Sequence, residues 1–159
     1  MAEHKATISW KGGSPDFLKG RFSREHTWTF DGGLSVPASA APSVVPPPLS
    51  NPDGVDPEEA FIASLASCHM LTFLFLAYRK GIEVESYEDE AVGAMAKAEN
   101  GVPWVSQITL NPTIAYSGEK QPTKAEEGAL HQQSHHYCFI ANSVKTRIAV
   151  RGFEEAPAA

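Results

Sequence analysis

The chain has 159 residues, of which 42% are hydrophobic and 20% are charged, a composition typical of a folded globular protein. Its formal net charge of -6 argues against binding nucleic acid through the phosphate backbone. The first residues carry no apolar stretch like that of a signal peptide, and the two cysteines are not clustered, so we expect a cytoplasmic protein with reduced thiols.

The first 40 residues predict a three-stranded unit, with strands over residues 6–10, 21–30 and 34–38. Asp31, Gly32 and Gly33 predict a tight turn between the second strand and the third. Alternation along the second strand places Arg24 on the face of Trp28 and Phe30, which we predict to be buried. A buried Arg24 needs a partner; the alternative is a strand-end arginine whose guanidinium reaches solvent.

Residues 37–57 contain seven prolines and therefore predict a long loop, since proline disrupts helix interiors and central strands. Loops of this length in compact domains often form the lid or wall of a functional site.

The next segment, residues 57–80, predicts one long helix. Asp56 caps its start, Pro57 fits the first helical position, and Gly81 follows its end. Because the interior is apolar on almost every side, we expect a buried central helix. Polar interruptions leave an apolar run that we judge too short for a membrane span, so no membrane partner is expected. Cys68 lies near its middle, next to His69.

Residues 82–116 predict a strand hairpin that turns at Asn100-Gly101. Pro112 indicates a bulge or a sheet edge, and the core candidates are Val105, Ile108, Leu110 and Ile114.

The rest of the chain predicts one more helix and one more strand. Thr123 and Glu126 form a capping box that starts a second helix over residues 123–138. A last strand follows over residues 145–151, and residues 154–159 predict a frayed end. The order β-β-β-α-β-β-α-β predicts a single α+β domain over residues 1–159.

Two kinds of chemistry fit these elements. Glu127, His131 and His135 recur every four residues and share one helix face, which could hold a zinc ion. Without an HExxH pattern, a solvated helix face is the better interpretation, and we predict no metal and no cofactor.

The cysteines favour thiol chemistry. Cys68 and Cys138 each lie near a histidine, and an arginine such as Arg24 would lower the pKa of a thiol. If the two cysteines meet, they can act as attacking and resolving thiols; otherwise they are inert packing residues.

Residues 56–68 (DPEEAFIASLASC) resemble the cysteine-bearing helix of the OsmC/Ohr family, the osmotically inducible and organic hydroperoxide resistance proteins. Cys138, at the end of the second predicted helix, matches the second cysteine of that family. The resemblance implies an OsmC-like α+β fold in which two long central helices are wrapped by antiparallel sheets, assembled as an intertwined homodimer.

The resemblance also implies an activity, the thiol-dependent reduction of organic hydroperoxides, and of hydrogen peroxide too, in oxidative stress defence. Cys68 would attack the peroxide and Cys138 would resolve the sulfenic acid, with Glu58 and Arg24 as further catalytic residues and Arg21 as the alternative arginine. The reductant would be a dithiol, such as the dihydrolipoyl group of a lipoylated protein. Phe139 departs from the family, whose members often have proline after the second cysteine.

Helix geometry limits the role of Glu58. Ten residues of one helix rise about 15 Å, so Glu58 and Cys68 of the same subunit cannot both contact one arginine. We therefore expect Glu58 to act on the thiol of the other subunit, unless the helix starts later. The alternative to a peroxidase is a non-catalytic protein that binds a small apolar ligand on the same fold.

Overall fold

The computed structural model describes residues 1–153, which form two compact units, Met1–Ala60 and a second that begins at Phe61. The first unit contains an antiparallel sheet of three strands, β1 (Ala6–Ser9), β2 (His26–Phe30) and β3 (Ser35–Ala38). In this sheet β2 lies between β1 and β3. Trp28 of β2 lies opposite Ile8 and Val36, which confirms the predicted three-strand unit.

The second strand is shorter than predicted because the residues before His26 do not pair with a neighbouring strand. Residues 17–19 form a short 3-10 helix, and the Arg24 amide donates to the carbonyl of Leu49 instead of to a neighbouring strand.

The prediction that Trp28 and Phe30 share a buried face is wrong for the single chain. Trp28 is half-buried, whereas Phe30 is 38% exposed.

The proline-rich segment is a loop, as predicted. The Ser39 amide donates to the Val55 carbonyl, and the Asn51 amide donates to the buried Ser39 hydroxyl. These two contacts hold the loop close to the end of β3, before the long helix begins.

The long helix α1 spans Pro57–Arg79. Asp56 accepts from the Glu59 amide and Glu59 accepts from the Asp56 amide, each at 2.8 Å, so the predicted cap is present. In the second unit one stripe of α1 is buried, at four-residue spacing: Leu65, His69, Phe73 and Ala77.

The expectation of a helix buried on all sides is wrong for the single chain. Leu71, Phe75 and Tyr78 are 60%, 49% and 63% exposed. By length and composition α1 also meets the requirement for a membrane-crossing helix, contrary to our sequence interpretation, although core helices of soluble proteins meet it as well.

Four strands lie between the helices, not the two of the predicted hairpin. They are β4 (Glu83–Asp89), β5 (Val92–Lys97), β6 (Pro103–Leu110) and β7 (Pro112–Ser117). Asn111 separates β6 from β7, and its amide donates to the Asp89 carboxylate at 2.7 Å. The predicted turn at Asn100-Gly101 is confirmed between β5 and β6, where Gly101 has φ +81°.

The second helix, α2 (Lys124–Tyr137), starts with the predicted capping box of Thr123 and Glu126. The last strand, β8 (Arg147–Val150), pairs in parallel with β6, so that β5, β6 and β8 form one sheet while β4 and β7 form another. The predicted frayed end at residues 154–159 lies outside the described residues.

Two apolar clusters form the core of the second unit. Leu65 of α1 packs with the buried residues Ile108, Leu110 and Val150. Phe73 and Ala77 of α1 pack with Ile82 and with Leu130 of α2. Of the predicted core residues, Ile108 and Leu110 are fully buried, whereas Val105 and Ile114 pack against the clusters.

Candidate active site

The structure brings Cys68 and Cys138 together within the second unit. Cys68 lies in the middle of α1, and Cys138 directly follows the last residue of α2. Both thiols are free, and they lie close enough to interact. Cys138 is fully buried, whereas Cys68 is partly exposed, so a reagent in solution reaches Cys68 more easily.

The end of α2 is held by hydrogen bonds that fix Cys138. Its amide donates to the Ser134 carbonyl at 2.9 Å, and the Ala141 amide donates to its Sγ at 3.4 Å. The Asn142 side-chain amide donates to the carbonyls of His136 and Cys138, both at 2.9 Å. Sequence reasoning missed Asn142, although an amide side chain shortly after a helix end often satisfies free carbonyls there.

The surroundings of the Cys138 thiol disfavour its ionisation. Burial, and then the neighbouring Cys68, raise the pKa of the Cys138 thiol to about 11. Cys138 is therefore a neutral thiol at pH 7, and its S–H is available to a negative charge on the Cys68 sulfur. Of the two, Cys68 is the better placed nucleophile.

Arg24 lies in the first unit, half-buried and just before β2. Its Nη1 donates to the Gly20 carbonyl at 2.9 Å and to the Phe22 carbonyl, and its guanidinium carbon lies 3.7 Å from the centroid of the Phe22 ring. The partners of the Arg24 guanidinium, which the sequence analysis required for a buried arginine, are therefore two backbone carbonyls and the face of an aromatic ring.

A histidine and a tryptophan continue the same face. The Nδ1 of His26 is 2.7 Å from the Arg24 carbonyl oxygen, and the indole Nε1 of Trp28 donates to His26 Nε2 at 2.9 Å. Because Trp28 can only donate, Nε2 of His26 accepts and Nδ1 carries the proton. Trp28 and His26 therefore hold the Arg24 backbone.

Glu58 is half-buried in the first turn of α1. Its Oε2 is buried without a hydrogen-bond partner. Within residues 1–153, no ion pair joins Glu58 to Arg24, so a pairing between two subunits stays a prediction.

The structure also contains a buried histidine pair that the sequence did not predict as a pair, formed by His69, which follows Cys68, and His131 of α2. His69 Nε2 of α1 and His131 Nδ1 of α2 are 3.0 Å apart, and both residues are 1% exposed. Burial lowers the pKa of His69 to about 3, with His131 adding to the effect, and lowers that of His131 to about 4. Both rings are therefore neutral at pH 7, and only one proton lies between them.

The predicted zinc alternative has little geometric support. His131 Nε2 is 3.9 Å from the Glu127 carboxylate, but His135 is exposed. Within the described part of the chain, no group of three or more histidine, cysteine or acidic side chains could hold a metal ion.

The sequence and the fold of this chain are similar to those of known proteins. The family model for OsmC-like proteins matches residues 50–151, which is well over half of the chain. An OsmC-like protein of unknown function from Vibrio cholerae is 47% identical, with 95% of this chain and 99% of that chain covered and a TM-score of 0.91. No curated protein matches the chain.

Two further solved structures share the fold at low identity. The organic hydroperoxide resistance protein of Elizabethkingia anophelis is 19% identical, with 95% of this chain and 94% of that chain covered and a TM-score of 0.69. OhrB, the organic hydroperoxide resistance protein of Bacillus subtilis, is 20% identical, with coverages of 94% and 98% and a TM-score of 0.63. These likenesses confirm the predicted α+β architecture.

Proposed function

Because the chain belongs to the OsmC-like protein family, we propose that it is a thiol-dependent peroxidase that reduces organic hydroperoxides, and hydrogen peroxide as well. The family and the hydroperoxide resistance proteins among its structural neighbours support a peroxide-related stress function. The interaction between Cys68 and Cys138 carries the finer proposal, because a dithiol peroxidase needs two thiols that can reach each other.

The proposed reaction has two steps on the protein. The Cys68 thiolate attacks the distal oxygen of ROOH, the O–O bond breaks, and the leaving alkoxide takes a proton, which gives a Cys68 sulfenic acid and ROH. The Cys138 sulfur then attacks the Cys68 sulfur, and hydroxide leaves with a proton as water, which gives the disulfide. An external dithiol reduces this disulfide and is itself oxidised; a lipoylated protein is the proposed source.

The unequal environments of the cysteines support this division of roles. Cys68 is partly exposed, so peroxide can approach it, whereas Cys138 is buried and its pKa is raised to about 11. A buried thiol with a raised pKa is a poor first nucleophile, but it lies beside Cys68 and can attack a sulfenic acid there through its thiolate form.

Arg24 and Glu58 take their proposed roles from the family resemblance. The Arg24 guanidinium would stabilise the thiolate and the leaving oxygen, and Glu58 would orient that guanidinium. The unpartnered Oε2 of Glu58 and the carbonyl-bound Nη1 of Arg24 leave both groups with capacity for a further partner.

A homodimer is part of the proposal. Leu71, Phe75 and Tyr78 leave a large apolar area of α1 exposed in the single chain, and a second copy would remove it from water. We propose that the enzyme acts in the cytoplasm, where dithiol reductants maintain the reduced state of the cysteines.

Thiol counting under peroxide tests the proposal. Reduced protein is treated with one equivalent of cumene hydroperoxide or hydrogen peroxide, free thiols are counted, and disulfides are mapped by mass spectrometry. We expect rapid loss of both thiols into a Cys68–Cys138 disulfide, which Cys68→Ser abolishes. Cys138→Ser should instead accumulate a Cys68 sulfenic acid that dimedone traps. Two thiols that survive in folded protein would refute the peroxidase and favour the binding protein.

A further inference from the structure

A cavity of about 400 Å³ lies against α2 and β8 in the second unit. One part of its lining is apolar, formed by Ile148, Val150 and Phe153. The polar part is formed by His131, Gln132, His135 and Arg147. Among the described residues that line it there is neither cysteine nor carboxylate, in a chain whose net charge is -6.

The most buried polar residue of this lining has an unused nitrogen. His131 Nδ1 is engaged with His69, whereas Nε2 is buried and has no hydrogen-bond partner. The Glu127 carboxylate, 3.9 Å from Nε2, favours the tautomer in which Nε2 carries the proton and His69 donates to Nδ1. A buried N–H without an acceptor costs free energy, so this donor favours a ligand that supplies an oxygen.

Two basic side chains lie at the cavity or next to its lining. Arg147 is the first residue of β8, and its side chain is exposed. It makes no ion pair with any carboxylate in residues 1–153. Lys124 Nζ lies 5.8 Å from the centroid of the Phe153 ring. Gly128 lets that ring pack against α2, because a Cβ at this position would lie 3.0 Å from Phe153 Cδ1.

We propose that this cavity binds a monocarboxylate with a hydrocarbon body. The carboxylate would pair with the Arg147 guanidinium and accept from His131 Nε2–H, and the hydrocarbon would pack on Ile148, Val150 and Phe153. One arginine that pairs with no carboxylate of residues 1–153, beside an apolar wall, suits a single negative charge on an apolar molecule better than a phosphate or a dicarboxylate. The volume is within the range of small-ligand pockets.

Calorimetric titration of the reduced full-length protein tests this proposal, with octanoate and benzoate as probes and octanamide as the neutral analogue. We expect saturable binding of at least one carboxylate at one site per chain and much weaker binding of octanamide. Arg147→Gln should weaken carboxylate binding by about tenfold. Arg151→Gln is the matched control, because Arg151 is exposed and does not line the cavity.

Three results would refute the proposed carboxylate site. The first is that neither octanoate nor benzoate binds saturably, and the second is that octanamide binds as tightly as the carboxylates. The third is that Arg147→Gln and Arg151→Gln weaken carboxylate binding equally. Both variants alter exposed side chains, so their circular dichroism and unfolding midpoints should match those of the unaltered protein. Thiol oxidation is not used as a readout, and the result is therefore independent of the proposed peroxidase.

Discussion

Cys68 and Cys138, 70 residues apart in the sequence, interact through their side chains where the middle of α1 meets the end of α2. The sequence predicts their roles only on the condition that the two cysteines meet, because the spacing of two cysteines does not show whether they do. The structure adds a difference in exposure, because Cys138 is fully buried and Cys68 is partly exposed, and burial raises the pKa of the Cys138 thiol.

The raised pKa of Cys138 predicts how disulfide formation depends on pH. The thiolate is the attacking species, so the rate of the resolving step should rise about tenfold per pH unit between about pH 6 and 9, as long as the pH stays below the pKa of about 11. Quenched-flow mass spectrometry of the Cys68 sulfenic acid and of the disulfide would measure this rate. A rate of disulfide formation that is independent of pH over this range would contradict the proposal that the Cys138 thiolate resolves the sulfenic acid.

The buried histidines predict a loss of stability in acid. Their folded-state pKa values, about 3 for His69 and about 4 for His131, lie below the ordinary 6.5, so the unfolded chain binds protons first as the pH falls. The free energy of unfolding should therefore decrease from about pH 7 to pH 4, by an amount on the order of a few kcal/mol. Urea unfolding at several pH values measures it.

A matched pair of variants isolates the contribution of the histidines from that of the carboxylates. His131→Gln should make the dependence of unfolding free energy on pH shallower by about one proton between pH 4 and 6.5. His136→Gln makes the same substitution at an exposed histidine of the same helix and is the control. If both variants keep the original slope, His131 is not a source of the acid sensitivity.

The parts of the fold that were predicted correctly depend on local chemistry. The caps at Asp56 and Thr123 and the turn at Gly101 each involve residues within three positions of one another, so the sequence contains all of their partners. The family resemblance supplied the architecture, which the comparisons confirm.

The parts that failed depend on distant residues. The break between β6 and β7 involves the Asp89 carboxylate, 22 residues from the Asn111 amide, and the His69–His131 pair joins residues 62 apart. Apolar residues all round α1 predict burial on every side, although a helix that is partly exposed in the single chain has the same pattern. A period or a motif cannot distinguish these cases.

Gly93 predicts a packing conflict that can be repaired. A Cβ at this position would lie 2.5 Å from Ile62 Cδ1 and 2.9 Å from Ile62 Cγ1. Gly93→Ala should therefore lower the free energy of unfolding by about 1–3 kcal/mol through overpacking. Ile62→Val, which removes Cδ1, should reduce that loss in the double variant, as measured by urea unfolding of all four proteins. Additive effects of the two substitutions would show that the contact does not constrain the native state.

The exposed face of α1 predicts the site of dimerisation. Phe75 is 49% exposed, and Phe75→Glu would place a charge in the proposed contact between two copies. Light scattering should show a dimer for the unaltered protein and a shift toward monomer for this variant. Val102→Glu, at a position that is 56% exposed on the β5–β6 turn, is the control and should remain dimeric. A variant Phe75→Glu that stays dimeric at low micromolar concentration would place the interface elsewhere.

Substitutions of Arg24 and Arg21 should have different effects on the rate at which peroxide oxidises Cys68. Arg24 is half-buried and held over the Phe22 ring, whereas the Arg21 side chain is exposed. If Arg24 stabilises the thiolate and the leaving oxygen, Arg24→Lys should slow Cys68 oxidation by about a hundredfold, because a lysine cannot reproduce the planar donor set of the guanidinium. Arg21→Lys should retain the original rate. Stopped-flow oxidation by cumene hydroperoxide gives both rates, and a reversed order would transfer the role to Arg21.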